Sequence, residues 1–293
     1  MSWRTVIVSS HAKLDLQVGF MQIRGDDGTR RIILDEIDIL LVESTAVSIT
    51  AALLAELVSR KVKVIFCDGK RLPNAELVPY HGCHDGSRRL KMQLGWDDKV
   101  KRMVWQRIVR EKILNQASHL SVAGRYRERD NLLRFAEEVE DGDVTNREGL
   151  AARQYFSALF GSDFTRDKKC DVNAGLDYGY QVMLSVFARE IALEGYLVQL
   201  GIFHDNIYNN FNLASDLIEP FRPLVDYVVR VWFSNRDQVF DKEIKRKLIN
   251  LLHDEVMVAG AKQTVINAIV SYTRSVTDAL HTGDVNSIRF IAR

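Results

Sequence analysis

The chain's hydrophobic period turns from mostly strand-like to almost entirely helical across Tyr80-His-Gly-Cys-His-Asp-Gly86, and that change limits the folds open to it. Before it, apolar residues tend to alternate, as strands require. After it they recur every three to four positions, as helices require. Thr5–Val8, Lys13–Val18, Phe20–Ile23 and Arg31–Leu34 are short runs rich in strand-forming residues, with the turn Gly25-Asp-Asp-Gly28 before the last. Glu36–Glu43, Lys63–Cys67 and Asn74–Tyr80 read as further strands, and Ser48–Arg60 as an amphipathic helix. From Ser87 onward the pattern predicts helices over Arg88–Gly95, Asp98–Ala117, Tyr126–Glu140, Arg147–Phe160, Leu176–Leu200, Asp241–His253 and Gln263–Leu280. The expected fold class is α+β: a small N-terminal β-rich domain (residues 1–80), a linker (81–87) and a larger all-α domain (88–293). His81, Cys83 and His84 are of zinc-ligand type, but no second pair stands at ligand spacing, so the segment reads as a polar linker.

A chain of 293 residues can build two cores. Its 46 % hydrophobic and 27 % charged residues are those of a soluble globular protein. The N-terminus lacks the basic and apolar regions of a secretory signal. No apolar run approaches the roughly 20 residues of a membrane span. Three widely spaced cysteines argue against a disulfide framework and for the reducing cytoplasm. The net charge of +1 does not by itself predict a nucleic-acid partner. The basic clusters at Arg88–Lys91, Lys99–Lys112, Arg125–Arg129, Arg166–Lys169 and Lys242–Lys247 do favour a phosphate-rich one, although each alone also reads as a solvated helix face.

Chemistry concentrates in His204–Asp226. His204 stands in an Asn-rich loop, and Asp216, Glu219 and Asp226 follow in a helical pattern. An imidazole with carboxylates suits a divalent ion such as Mg²⁺ or Mn²⁺. The alternative is an amphipathic surface helix whose charged face carries Asp216, Glu219, Arg222, Asp226 and Arg230, with an Arg222–Asp226 pair. Pro220 and Pro223 lack the N–H groups that would reach the carbonyls of Asp216 and Glu219, so the helix is expected to break at the acidic pair. Glu148 has two readings as well. Thr145-Asn-Arg-Glu148 has capping-box spacing; a carboxylate held at the start of a packed helix is equally suited to metal ligation.

The chain resembles the CRISPR adaptation integrase, the larger subunit of the two-protein spacer-acquisition complex. The resemblance spans nearly the whole chain. It is carried by Ile39–Glu43, Val64–Asp68, Trp105–Gln116, Asn146-Arg-Glu-Gly149, Asn173–Tyr180 and Ala214–Asp226. Lys70-Arg-Leu-Pro73 and Glu219-Pro-Phe-Arg-Pro223 look most like the branch that accompanies the single-protein, type II RNA-guided effector. The resemblance implies a dimerising N-terminal domain and a catalytic helical domain. It implies catalytic metal ligands at Glu148, His204 and Glu219, with Asp216 in support, while Asp205 is a further candidate ligand. It implies a homodimer, a small ferredoxin-like companion subunit, and DNA as substrate: a spacer-precursor duplex whose 3′-hydroxyls attack the CRISPR repeat. No membrane partner is expected. A structure-specific endonuclease using water, and a non-catalytic DNA-binding scaffold, are the alternatives.

Overall fold

The computed structural model describes residues 4–69, 71, 73–77, 85–234 and 238–292. The chain divides into two compact units, Met1–Tyr80 and His81–Arg293.

In the first unit, β1 (Arg4–Val8), β5 (Ile37–Val42) and β7 (Lys63–Cys67) run parallel, and β8 (Pro73–Glu76) pairs antiparallel with β7. The central strand β5 is almost continuously apolar, as a strand covered on both faces must be. A second sheet holds the meander β2 (Ala12–Gln17), β3 (Phe20–Gly25) and β4 (Gly28–Ile33), with the short β6 (Val47–Ile49) parallel to β2. Helix α1 (Ala51–Ser59) packs on β2 and β7. Leu14, Met21, Leu34, Leu40, Leu53, Leu57 and Val64 form the core of the unit. The start of the expected Ser48–Arg60 helix is corrected: Val47–Ile49 pairs as a strand, and Thr50 caps α1 by accepting from Leu53 N–H at 3.4 Å.

The second unit is mostly helical: α2 (Gly86–Leu94), α3 (Asp98–Val122), α4 (Tyr126–Glu137), α5 (Arg147–Phe160), α6 (Asp171–Leu193), α7 (Asn212–Leu217), α8 (Arg222–Trp232), α9 (Lys242–Asn250) and α10 (Val265–Thr282). Helix α3 packs against α4, α5, α8 and α10, and α6 against α8, α9 and α10. Residues 86 and 87, expected in the linker, already belong to α2. The candidate zinc residues at 81, 83 and 84 lie outside the described residues.

Helix α6 ends earlier than its apolar pattern predicts. Gly195 takes a φ of +81°. Tyr196 N–H bonds Ile191 C=O, and Gly195 N–H bonds Ala192 C=O, the paired bonds of a left-handed C-terminal cap. Residues 196–211 are thereby freed as the loop that bears His204.

The unit is not purely helical. β9 (Glu255–Val258), β10 (Ala261–Thr264) and β11 (Ile291–Ala292) form a small antiparallel sheet. The Ala259-Gly260 hairpin turn has both φ values positive, at 48° and 80°. Thr264, expected inside the last helix, instead caps α10. Among the described residues no helix is long and apolar enough to cross a membrane.

Candidate active site

The proline break occurs where expected. Helix α7 stops at Leu217, a single tight turn covers Glu219–Phe221, and α8 resumes at Arg222. The break has a dedicated support: Asn115 of α3 donates from Nδ2 to Pro220 C=O at 2.9 Å. One helical turn before Asn115, Lys112 emerges from the same helix. Helix α3 thus fixes the backbone of the broken segment and meets its acid.

Glu219 is 3 % exposed. Its Oε1 accepts from Arg222 Nε at 2.8 Å, and its Oε2 pairs closely with Lys112 Nζ. Burial alone would push its carboxyl up, but the charges of Arg222 and Lys112 overcome this and hold it down at about 2. Burial likewise disfavours the Lys112 ammonium, and Glu219 and Glu148 more than offset that. Lys112 Nζ also meets Glu148 Oε1 at 2.5 Å. Two carboxylates from different elements therefore converge on one cation.

The capping-box reading of Glu148 does not hold. Asn146, at φ +52°, is the N-cap of α5, and its Oδ1 accepts from Gly149 N–H. The Asp143 carboxylate takes Arg147 N–H at 2.8 Å and Glu148 N–H at 3.0 Å. With these donors already satisfied, the Glu148 side chain is released toward Lys112.

His204 is oriented by Asp216, which is fully buried. Asp216 accepts from the backbone N–H groups of Ile202 (2.6 Å), Phe203 (3.2 Å) and His204 (3.0 Å), and its Oδ1 lies 2.6 Å from His204 Nδ1. The carboxylate keeps the proton on Nδ1 and leaves Nε2 as the ring's acceptor, an orientation common behind metal-ligating imidazoles. The Asp216 hydrogen bond raises the His204 pKa against the effect of burial, and Glu219 and Glu148 add to the rise. Gly201 permits this geometry: a Cβ there would sit 2.3 Å from His204 C=O and 2.8 Å from Asp216 Oδ2. Gln93 of α2 anchors the same loop, donating to Leu197 C=O (2.9 Å) and Leu200 C=O (3.1 Å) and accepting from Leu197 N–H (2.8 Å).

The acidic stripe is thus not a solvated face, because Asp216, Glu219 and Asp226 are all buried. Arg222 turns to Glu219, and Asp226 is served by the Tyr155 and Tyr180 hydroxyls. Burial pushes Asp226 up to about 6 in spite of those bonds. Arg230 donates to His119 Nε2 at 2.9 Å, and His119 Nδ1 lies 2.6 Å from the Tyr155 hydroxyl. A donor chain therefore runs from Arg230 to Asp226.

Sequence reasoning missed Lys112, Asn115, Gln93 and Asp143 as parts of the site. Asp205 lines an open cavity of about 440 Å³ with His204, Phe203, Trp96, Lys101 and Arg102. The basic clusters are partly balanced by local acids: Arg89 with Glu194, Lys101 with Asp98, Arg129 with Asp130, Arg166 with Asp177. Among the described residues no three His, Cys, Asp or Glu side chains form a ready metal cage. At Glu148 and Glu219 the point of convergence is taken by Lys112.

Residues 5–269 match the family described as CRISPR associated protein Cas1. The CRISPR-associated endonuclease Cas1 of Neisseria meningitidis serogroup C (strain 8013) is 37 % identical over 284 residues, covering 95 % of this chain and 93 % of the relative. A Cas1 endonuclease of Francisella tularensis subsp. novicida is 26 % identical, over 87 % of this chain and 86 % of its own. Among solved structures, a casposase bound to integration product superposes with a TM-score of 0.79 at 17 % identity, covering 97 % of this chain and 92 % of that one. A CAS1 protein from Thermotoga maritima gives 0.74 at 14 % identity, covering 95 % and 97 %. The solved structures share the fold; the family profile and the Neisseria relative show that this chain belongs to the Cas1 family.

Proposed function

We propose that the chain is a metal-dependent DNA integrase of CRISPR adaptation, joining the 3′-hydroxyls of a short spacer-precursor duplex to phosphodiesters of a CRISPR repeat. The observation that carries the reading is the convergence of Glu148 and Glu219 on one cation, within electrostatic reach of an imidazole held by Asp216. The name of the Neisseria relative supports nuclease chemistry, and the casposase with its integration product supports joining.

The donor set fits a hard divalent ion. It offers two carboxylates already drawn to a positive charge and one imidazole whose Nε2 is the acceptor nitrogen. Glu148, Glu219 and His204 would hold Mg²⁺ or Mn²⁺. When bound, the ion neutralises the reacting phosphate and favours the attacking and leaving oxygens. The protein's part is positioning. Asp216 fixes the His204 ring, Asp143 frees Glu148, and Asn115 holds the turn that presents Glu219. In the joining step the incoming 3′-oxygen bonds to phosphorus as the repeat's own 3′-oxygen leaves. One phosphodiester replaces another, the proton of the incoming hydroxyl passes to the leaving 3′-oxygen by way of solvent, and the 3′-hydroxyl takes the place of water as nucleophile.

This reading includes a homodimer formed through the N-terminal unit, a small ferredoxin-like companion subunit and a cytoplasmic location. Solved complexes named for Cas1 together with Cas2 support a protein partner. The test is incubation of purified protein with Mn²⁺ or Mg²⁺, a 3′-OH oligonucleotide and repeat DNA. Joined strands are expected, lost with EDTA and lost in Glu219→Ala at retained fold. Fragments alone, ending in 5′-phosphate and 3′-OH, would instead mark an endonuclease using water. DNA binding unaffected by EDTA, with no product in any metal, would mark a scaffold.

A further inference from the structure

The acidic pair is neutralised by the protein itself. Glu148 and Glu219 carry two negative charges, and Lys112 and Arg222 supply two positive ones. Lys112 is 7 % exposed and rises from the stretch of α3 that also buries Ile108, Val109, Ile113 and Gln116. Charges so placed interact through little water, so attraction and repulsion are both strong.

A divalent ion added to this arrangement meets a cation already on its ligands. An ammonium and a metal bound to the same carboxylate oxygens stand only about 4 Å apart, a separation at which like charges in a poorly solvated site repel strongly. The ammonium has to leave the pair for the metal to enter, and a buried ammonium needs another anion to go to. The reaction's own substrate brings one. The Glu148 side chain is 24 % exposed, so the pair is open to solvent on that side, whereas Glu219 is closed off. A DNA phosphate entering past Glu148 would draw Lys112 off the carboxylates and leave them to the metal.

We propose that Lys112 gates metal loading, so that DNA and the divalent ion bind with positive coupling and the protein without DNA holds the ion weakly. This rests on the reading of Glu148, His204 and Glu219 as the metal site. By linkage the coupling is reciprocal: the ion tightens DNA to the same factor that DNA tightens the ion. The gate restrains the enzyme from carrying a loaded site in the absence of substrate.

The experiment titrates Mn²⁺ into the full chain, reading free Mn²⁺ by electron paramagnetic resonance. It is done with and without a short duplex whose 3′ ends are dideoxy-terminated, so that no joining occurs, and binding by the duplex alone is subtracted. For the wild type, duplex should tighten Mn²⁺ binding by tenfold or more. Lys112→Met should bind Mn²⁺ at least tenfold more tightly than wild type without DNA, and the duplex should then add less than threefold. Lys112→Gln serves the same purpose, and thermal melting checks that each variant is folded. Equal Mn²⁺ affinity of the wild type with and without duplex overturns the gate whatever the variants do. So does Mn²⁺ binding by folded Lys112→Met that is no tighter than wild type. Glu219→Gln separates the two levels. If it abolishes Mn²⁺ binding while coupling is absent, the site stands and the gate falls; if Mn²⁺ binding survives it unchanged, the site itself is misplaced and both fall.

Discussion

His204 owes the orientation of its ring nitrogens to Asp216, which receives three backbone N–H groups and the ring nitrogen. Asp216→Asn keeps the size but replaces one acceptor oxygen with a donor. We expect joining to fall about 10- to 100-fold, the usual effect of losing a supporting carboxylate behind a ligand. A circular dichroism spectrum should be unchanged, and wild-type joining rates would exclude the orienting role. Glu219 makes a prediction in pH. Its folded-state pKa, about 2, lies below the ordinary 4.5 because Arg222 and Lys112 outweigh burial. Folding therefore favours the ionised form. Its contribution to stability is present above about pH 4.5 and is lost as pH falls toward 2. Glu219→Gln should flatten that part of the stability–pH curve, measured by chemical denaturation at stepped pH; an unchanged slope would show that another carboxylate carries it. Glu148, His204 and Glu219 were nameable in the sequence through resemblance, and Glu219 also through its prolines. Lys112 was not, because a lysine among Lys101, Arg102 and Arg110 has the local signature of a solvated face. Only tertiary packing of α3 against α5 and the tight turn shows otherwise.

At the level of elements, the break between α7 and α8 could be read directly, since a missing N–H is a property of proline in any context. Its support could not be read, because Asn115 is 105 positions away from Pro220. Asn115→Ala leaves the buried Pro220 carbonyl without a donor, at a cost of about 1–3 kcal/mol. The expected outcome is a lower melting temperature together with a larger loss of joining than the loss of stability explains, since the turn carries Glu219. A drop in stability with full activity would assign Asn115 a purely structural part. The end of α6 at Gly195 was available in the sequence as a glycine after helical residues, but the apolar run through Leu200 masked it. The β9–β10 hairpin escaped notice because its turn is Ala-Gly, without the Asn or Asp that marks most such turns.

At the scale of the molecule, the change of period at residues 80–86 corresponds to the division into units, each with its own core. The reason it was visible is that strand and helix periods are set by backbone geometry and survive any tertiary context. Residues 81–293 expressed alone are expected to fold, with a helical circular dichroism spectrum and a cooperative melt. By the proposed role of the N-terminal unit they should run as a monomer in size-exclusion chromatography, and the full chain as a dimer. A fragment that is unfolded would show that the second unit does not fold on its own.

Trp105, fully buried in α3, lies face to face with Phe203, ring centroids 4.3 Å apart and planes within 5°. It also stands edge-on to His204, at 5.8 Å. An indole in that position senses any shift of the neighbouring ring. Trp105 is therefore an optical reporter next to the candidate chemistry, and with Trp3, Trp96 and Trp232 replaced its emission would report any movement of the His204 loop without an added dye.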